Sequence, residues 1–492
     1  MSHEILIFCI LILFISIIIL FLWDITQKDH AILRNYPLIG HFRYILEKLG
    51  IYFRALLYAR DWEELPFNRA QRSWVYEASK NIDTTIGFGS TRDLRRVGTI
   101  YFVDAPFPVL SRDAVKTKPV TIGPQCQYPY TTCSLINISA MSYGSITENA
   151  ILALAEGAKL AGCWLNTGEG GLSEFHLKSG CDLVAQIGTA KFGYRDAEGN
   201  LSDDRLRIAA QYPQVKMFEI KLSQGAKPGK GGVLPAVKVT PEIAQMRGIT
   251  PYQDAISPNR FTEISNSAEL LDFINRVRNI TGKPTGFKTV LGGYEWLEEL
   301  FDLIHQRGIE SAPDFITLDG AEGGTGAAPA TLAGYMGLPI AESLPKLIDL
   351  LIEYDLRDRI KVIAAGKLIT PNAVAWALAI GADFVNSARG FLFSLGCIQA
   401  LRCHNNTCPT GITTHNRRLM HGLDPQHKAT RVMNYVKNLE HEVGILCHSC
   451  GVYEPRELQR NHVRIISEPG TSKSFAEIYP VKKRGAKLIH KQ

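Results

Sequence analysis

Eight short apolar runs separated by helical stretches constrain the fold of this chain more than any other feature of its sequence. They are predicted strands at residues 135–139, 163–166, 183–187, 216–220, 286–290, 315–318, 361–364 and 384–386. Apolar strands that alternate with helices are typical of parallel sheets, and eight such units predict an α/β fold of the (β/α)8 TIM-barrel type. An open doubly wound sheet is the alternative, although no Gly-x-Gly-x-x-Gly follows the first strand.

The amino-terminal segment is a second strong constraint. Residues 5–23 carry no charge, and all except Ser16 are Ile, Leu, Phe, Cys or Trp. About 20 apolar residues span a bilayer as a helix, and the start Ser2-His3-Glu4 lacks the basic residues of a signal peptide. The basic residues that follow are Lys28, Arg34, Arg43, Lys48, Arg54 and Arg60. The pattern predicts a retained, single-pass transmembrane helix in the inner (cytoplasmic) membrane, with the rest of the chain in the cytoplasm.

These features divide the chain into four predicted parts. They are an anchor at 1–27, a partly helical connecting region at 28–118, a barrel at 119–465 and a basic tail at 466–492. Residues 41–60 read as a helix that lies on the membrane surface or packs on the barrel. Basic residues are scattered among 48 acidic ones and no nucleic-acid motif is present, so we expect no nucleic-acid partner. Ten unevenly spaced cysteines favour a reducing compartment over a disulfide framework.

The loops that follow the strands of a TIM barrel build its active site. Glu169 follows the second predicted strand between Gly168 and Gly170, a setting that suits proton handling, ammonium binding or simply helix initiation. Lys221, Lys227 and Arg247 accompany a glycine-rich loop after the fourth strand. Several cations near such a loop make a natural dicarboxylate site, because Arg pairs bidentately and Lys acts as a point charge.

Three other loops suit a flat, phosphorylated cofactor. Ala140, Met141 and Ser142 follow the first strand, where small residues permit a ring to approach or form an ordinary turn. Gly366-Lys367 and Ala388-Arg389 follow the last two strands, and each combines small residues with one cation, as expected where backbone amides cradle a phosphate. Lys288 lies within the fifth strand, where a buried lysine is costly without an anion.

Cys397, Cys403 and Cys408 stand at offsets of 0, 6 and 11 in a loop rich in helix breakers, residues 396–414. Six residues at about 100° each place the second cysteine roughly 120° from the first, so the three cannot share a helix face. Converging thiolates bind iron-sulfur clusters or zinc, although three buried cysteines that only pack are the alternative. Cys447 and Cys450 form a Cys-x-x-Cys pair, which is a metal or redox pair or packed helix thiols.

The cysteine loop carries a family resemblance. The run Gly396-Cys397, Cys403-His404, Asn406-Thr407-Cys408-Pro409, Gly411 resembles the cluster loop of the FMN-binding glutamate synthases, and similar blocks extend over roughly residues 130–450. The resemblance implies a 3Fe-4S cluster on Cys397, Cys403 and Cys408. It implies catalytic roles for Glu169 and Lys227, and 2-oxoglutarate binding by Lys221, Lys227 and Arg247. The implied FMN-binding residues are Ala140, Met141, Ser142, Lys288, Gly323, Gly324, Gly366, Lys367, Ala388 and Arg389.

The implied activity is that of a flavoprotein oxidoreductase of glutamate biosynthesis, which reductively aminates 2-oxoglutarate to L-glutamate. The sequence has Lys230 and Val233 where the family has a glutamate and a substrate-binding glutamine. It resembles a short form without the glutaminase domain and has no nicotinamide fingerprint. We therefore expect electrons from a ferredoxin or reductase subunit, and nitrogen from free ammonia, a separate glutaminase or another amine, as in the N-methylglutamate synthases. A different amine or keto acid flavoenzyme and a membrane-bound electron-transfer protein are the alternatives.

Overall fold

The computed structural model of the chain describes residues 2–27, 31–113 and 117–489. Lys28 lies outside them, as do residues 114–116 of the predicted connecting region and the last three of the predicted tail. The chain forms two compact units, Met1–Ala70 and Gln71–Gln492. The bounds given above for the four predicted parts of the chain remain a prediction.

The first unit contains three helices: α1 (Ser2–Thr26), α2 (Ala31–Asn35) and α3 (Gly40–Phe53), with a π-helical turn at Arg54–Tyr58. Within α1, residues His3–Thr26 are long and apolar enough to cross a membrane, a property that spans and signal sequences share. The loop before α3 and its first turn meet the end of α1, because Leu38 N and His41 Nε2 lie 2.8 and 2.9 Å from the Asp24 carboxylate oxygens. The helix predicted at 41–60 corresponds to α3 and this turn.

The second unit contains a closed barrel of eight parallel strands in chain order. The strands are β1 (Ile136–Ile138), β2 (Leu165–Asn166), β3 (Leu183–Ile187), β4 (Val215–Lys221), β5 (Thr285–Thr289), β6 (Phe315–Asp319), β7 (Lys361–Ala365) and β8 (Phe384–Ser387). The last strand pairs with the first, with Val385 beside Ile136, and this closes the barrel. All eight predicted strands and the TIM-barrel fold are therefore confirmed.

Helices connect and cover the strands. They are α4 (Arg69–Ser79), α5 (Glu148–Ala161), α6 (Glu174–Lys178), α7 (Asp203–Gln211), α8 (Pro241–Arg247), α9 (Ser267–Thr281), α10 (Glu295–Arg307), α11 (Ile340–Glu353), α12 (Pro371–Ile380), α13 (Arg389–Leu395), α14 (Arg417–Met420), α15 (Pro425–Ser449), α16 (Phe475–Ile478) and α17 (Ala486–Ile489). Short 3-10 helices lie at Ser111–Asp113, Ala236–Lys238, Ile309–Ser311, Pro455–Glu457 and Arg460–His462. The helix α12 is apolar on all sides because it is buried, with α15 packed against it.

An apolar plug closes the amino-terminal end of the barrel. An antiparallel hairpin of Val120–Ile122 and Tyr130–Thr132 contributes Ile122 and Tyr130 to a buried cluster with Trp164, Phe315 and Phe384. Strand ends supply those three side chains, so the cluster fills the barrel from below. Two further antiparallel sheets join Ile100–Phe102, Val463–Glu468 and Thr471–Ser474, and Val233–Leu234 with Ala255–Ile256. With one end closed by packing, the polar chemistry is left to the carboxyl end.

Candidate active site

A pocket lies at the carboxyl end of the barrel. The loops after β2 and β4 bring Glu169, Lys227 and Arg247 into its lining, although they are far apart in sequence. The cysteine loop reaches the same pocket through Cys403 and His404. The structure therefore places residues predicted for substrate and for cluster around one cavity.

Glu169 is the anion of this pocket. Its Oε1 accepts a hydrogen bond of 2.7 Å from Lys221 Nζ, and both side chains are mostly buried. The glycines around it permit this position, since a Cβ at Gly188 would lie 2.6 Å from Glu169 Cβ and one at Gly232 would lie 2.6 Å from Oε1. Burial alone would raise the pKa of Glu169, but the nearby lysines and arginine outweigh burial and lower this pKa. The group is therefore a carboxylate at neutral pH.

Lys227 and Arg247 carry buried positive charge beside that carboxylate. Burial, together with Lys221, lowers the pKa of Lys227 to about 8, and burial lowers the pKa of Arg247 to about 10. Arg247 ends α8 and donates from one terminal nitrogen to the Tyr143 carbonyl at 3.0 Å. Within the part of the chain that the structure describes, its buried Nε has no hydrogen-bond partner. A buried donor without an acceptor is costly, so this one points to a ligand that supplies an oxygen.

The charges in this cluster do not balance. Lys221, Lys227 and Arg247 face the single carboxylate Glu169, so three cations less one anion leave two positive charges. The two positions that differ from the family pattern lie at its edge. Val233 lines the pocket with 37% of its surface exposed, and the exposed Lys230 lowers the pKa of Lys227 further.

Lys288 has a partner inside the protein. Its Nζ lies 3.7 Å from Asp319 Oδ2 at the end of the next strand, and this oxygen also accepts from Gly225 N at 2.9 Å. The expectation that a buried Lys288 requires an anion is thus met by Asp319, which the sequence analysis did not identify. Gly323 allows the contact, because a Cβ there would lie 2.5 Å from Asp319 Oδ1.

Lys367 and Arg389 form a second group of cations, at the ends of β7 and β8. Burial lowers the pKa of both, that of Arg389 to about 10, and the Arg389 charge lowers the pKa of Lys367 further. Arg389 donates to the Glu322 carbonyl at 2.8 Å. Gly324 covers its side chain so closely that a Cβ would lie 2.7 Å from Arg389 Nε. Two neighbouring cations in such a cradle suit a phosphate.

The first loop completes this end of the barrel. Met141 and Ser142 are buried after β1, and a Cβ at Gly168 would lie 2.5 Å from Ser142 N. Gly168 has a φ of 68°, which favours glycine. The loops that follow β1 and β2 therefore touch through backbone at the position predicted for a flat ring.

The cysteine loop folds back on itself as its spacing requires. Three residues without the freedom of glycine have left-handed backbones, Gln399, Leu401 and Asn406, with φ values of 56°, 55° and 61°. Burial raises the pKa of Cys397 to about 12, and Cys403 and Cys408 contribute to this rise. Among the described residues, no three His, Cys, Asp or Glu side chains are grouped to hold one metal ion. An iron-sulfur cluster does not require its cysteines to converge on one metal ion, because each thiolate binds a different iron.

Lys238 joins the cysteine loop to the pocket, a contact that was not predicted from the sequence. Its side chain is almost fully buried in the 3-10 turn that follows Val233–Leu234. Its ammonium donates to the carbonyls of Cys403 at 2.8 Å, Thr413 at 2.6 Å and Ser145 at 3.3 Å. The carbonyl acceptors leave no side-chain signature in a sequence, so only the fold reveals this contact.

Cys447 and Cys450 lie apart from the predicted cluster residues. Cys447 is fully buried on α15 and its thiol donates to the Val452 carbonyl at 3.1 Å, while Cys450 caps the helix. Burial raises the pKa of both thiols. This arrangement agrees with the interpretation that they are packed helix thiols.

Comparison with known proteins supports a family assignment. The conserved region in glutamate synthase matches residues 109–453. The chain is 42% identical to the glutamate synthase large subunit-like protein YerD of Bacillus subtilis, over 92% of this chain and 94% of that protein. It is 31% identical to the archaeal glutamate synthase [NADPH] of Methanocaldococcus jannaschii, over 71% of this chain and 65% of that protein. A solved structure of a mutant flavocytochrome b2 with pyruvate bound is similar at a TM-score of 0.45 and 12% identity, over 91% of this chain and 90% of that chain. This chain belongs to the glutamate synthase family.

Proposed function

We propose that the protein is a short-form glutamate synthase that reductively aminates 2-oxoglutarate to L-glutamate, with FMN and a 3Fe-4S cluster as cofactors. The observation that carries the proposal is the surplus of two buried positive charges around Glu169. A substrate with two carboxylates balances that charge and supplies the oxygen that Arg247 Nε lacks. Membership of the glutamate synthase family supports the same chemistry.

The side chains of the pocket divide the work. Arg247 and Lys221 bind the substrate carboxylates. Lys227, with a pKa of about 8, donates a proton toward the keto oxygen, because an acid works best when its pKa is near the working pH. Glu169 stays ionised and holds the incoming ammonium. The net reaction forms a C–N and a C–H bond at the keto carbon, releases water and consumes two electrons and two protons.

The chain offers suitable residues for both cofactors. Lys367, Ala388 and Arg389 would hold the FMN phosphate. The loop Ala140–Ser142, Gly323, Gly324 and Lys288 would border its ring. Cys397, Cys403 and Cys408 would bind the cluster in the folded-back loop. When bound, FMN supplies hydride transfer and the cluster supplies electron transfer. Lys238 would hold the cysteine loop against the pocket.

We also propose the partners and the location. Electrons come from a separate protein, a ferredoxin or a reductase subunit, and nitrogen comes from ammonia, another amine or a separate glutaminase. The helix α1 anchors the chain in the inner membrane as a single span, with the barrel in the cytoplasm. Its length and composition support the span, and Arg34 and Arg43 after it support the orientation.

Product analysis tests the proposal. Protein purified without oxygen in detergent is reduced with dithionite and given 2-oxoglutarate with either ammonium or methylammonium, and the amino acid formed is identified by mass spectrometry. We expect glutamate from ammonium. N-methylglutamate alone would favour the second candidate, an N-methylglutamate synthase, for which Val233 at the pocket edge is the supporting observation. If neither product forms, both candidate functions are contradicted.

A further inference from the structure

The helix α3 presents an apolar face that the protein leaves exposed. Phe42, Ile45, Leu46, Leu49 and Phe53 fall within an arc of about 100° on a helix of 3.6 residues per turn. The exposed fractions of their side chains run from 42% for Leu49 and Phe53 to 66% for Phe42. Apolar side chains that share one face and remain exposed mark an interaction surface.

Charged residues lie outside the apolar face of α3, although Tyr44 and Ile51 stand on the side directly opposite to it. Arg43, Glu47 and Lys48 are exposed outside that face, and Arg54 follows in the π-helical turn. A short helix with large apolar residues on one face and Arg and Lys flanking it is typical of helices that lie in a membrane interface. The charges complement the anionic headgroups of lipids.

The position of α3 along the chain fits the same partner. The apolar run 5–23 of α1 is about 28 Å long at about 1.5 Å per residue, close to the thickness of a hydrocarbon core of about 30 Å. Asp24 then falls at the membrane boundary. Its carboxylate contacts Leu38 N and His41 Nε2, and these contacts hold the beginning of α3 at that level.

We propose that α3 is an in-plane membrane helix, with Phe42, Ile45, Leu46, Leu49 and Phe53 inserted among lipid chains and Arg43 and Lys48 at anionic headgroups. The proposal goes beyond the catalytic function and rests on the proposed α1 span only for the depth at which α3 begins. The occupant of the apolar face is the lipid surface, because the beginning of α3 contacts the end of a membrane-length helix and basic residues flank the face.

Site-specific photo-crosslinking in the full chain tests the proposal. A benzophenone amino acid replaces Leu46 on the apolar face, Glu47 on the polar face, or Phe14 within α1. The protein is placed in vesicles of phosphatidylcholine and phosphatidylglycerol that contain a tagged phospholipid, and is then irradiated. We expect lipid adducts at positions 46 and 14, in several-fold higher yield than at position 47.

The outcomes are separable. Equal yields at 46 and 47, or a crosslink from 46 to a second copy or to the same chain, would overturn the proposal. A missing adduct at Phe14 would reject the proposed span, while the comparison of Leu46 with Glu47 still decides the fate of α3. Both results are independent of whether glutamate is formed.

A charge variant sharpens the test. In a chain with Arg43→Glu and Lys48→Glu, we expect the adduct yield at position 46 to fall by at least about fivefold for each basic residue replaced. Each Lys or Arg near an anionic surface contributes about that factor. The yield at Phe14 serves as the control and should not change. An unchanged yield at position 46 would contradict the role of these basic residues.

Discussion

Two groups of buried cations lie at the carboxyl end of the same barrel, and they differ in how they are enclosed. Lys227 and Arg247 line a pocket, and Lys221 reaches it through its salt bridge to Glu169. This group carries two unbalanced charges, and its Arg247 Nε has no hydrogen-bond partner within the part of the chain that the structure describes. Arg389, in the other group, is covered by Gly324 and donates to the Glu322 carbonyl. A solvent-accessible group of cations with uncompensated charge and an unpaired donor suits a substrate that binds and leaves. An enclosed group suits a resident cofactor.

We expect the largest effect when the carboxylate of Glu169, in the first group, is replaced, and a smaller effect when that of Glu322, beside the second group, is replaced. We expect Glu169→Gln to lower turnover by about 10²- to 10⁴-fold, because the pocket loses the carboxylate that pairs with Lys221. Binding of the oxidised protein to 2-oxoglutarate should not weaken, since an anion has been removed. Steady-state glutamate formation and titration calorimetry measure the two effects. The Glu322 carboxylate accepts hydrogen bonds from Ile340 N and interacts with Lys367 and Arg389, so Glu322→Gln is the matched control. An equal loss of turnover per bound flavin in this variant would remove the distinction.

Replacing each of the two arginines with methionine tests whether one group binds the substrate and the other the flavin. We expect Arg247→Met to raise KM for 2-oxoglutarate by about 10- to 100-fold with flavin retained, as charged hydrogen bonds of about 1.5–3 kcal/mol are lost. Arg389→Met should instead lower the flavin-to-protein ratio. Absorbance spectra of the purified variants and initial rates provide both readouts. Loss of flavin from both variants to the same extent would show that the groups are not separate.

Lys238 tests whether the cysteine loop depends on the segment that lines the pocket. We expect Lys238→Met to reduce iron content and to destabilise the loop by at least about 2 kcal/mol, because three carbonyls lose a charged donor. Lys238→Arg should restore part of the iron. The exposed Lys230 supplies a control, Lys230→Met, which should retain full iron. Iron analysis and the electron paramagnetic resonance signal report the result, and a full signal in Lys238→Met would contradict this role.

The pKa of Lys227 predicts a pH dependence of substrate binding that Arg389 does not share. Lys227 is charged below about pH 8 and neutral above it, so affinity for a dianion should fall by up to about tenfold per pH unit as the pH rises through 8. Arg389, with a pKa of about 10, stays charged over this range, and flavin retention should be constant. Binding titrations between pH 7 and about 9 test the difference, and Lys227→Met should abolish the slope.

The smallest effect concerns the edge of the pocket. Val233→Gln should lower KM for 2-oxoglutarate by about fivefold, because one added amide hydrogen bond contributes about 1 kcal/mol. Val233→Leu, which adds no hydrogen-bonding group, is the control. If the glutamine variant binds 2-oxoglutarate no better than the leucine variant, the keto acid does not reach position 233.

The barrel was predictable because strand periodicity is a local property. The runs beginning at Leu183 and Phe315 consist mostly of the apolar residues that a buried parallel strand favours, and the structure has strands at both. Strand ends differ from prediction by one or two residues at positions such as Ile136 and Leu165, where hydrogen bonding to a neighbour rather than side-chain type decides the boundary.

The contacts of the site were less predictable, because most join distant parts of the chain. The salt bridge between Glu169 and Lys221 follows from two loops that the barrel brings together. The sequence does not show that Lys288 pairs with Asp319 or that backbone carbonyls accept from Lys238. Nothing in the neighbouring residues distinguishes either lysine from other lysines of the chain. The exposed fractions of the apolar side chains of α3 likewise required the structure, because a sequence does not show which side chains the neighbouring helices cover.

A single-turnover reaction tests the central claim most directly. Reduced protein is mixed rapidly with 2-oxoglutarate and ammonium without oxygen, and flavin absorbance and glutamate are followed together. The account predicts that the flavin is reoxidised as one equivalent of glutamate forms for each flavin, with both processes slowed together in Glu169→Gln. A flavin that stays reduced in the presence of both substrates would contradict the proposed synthase activity.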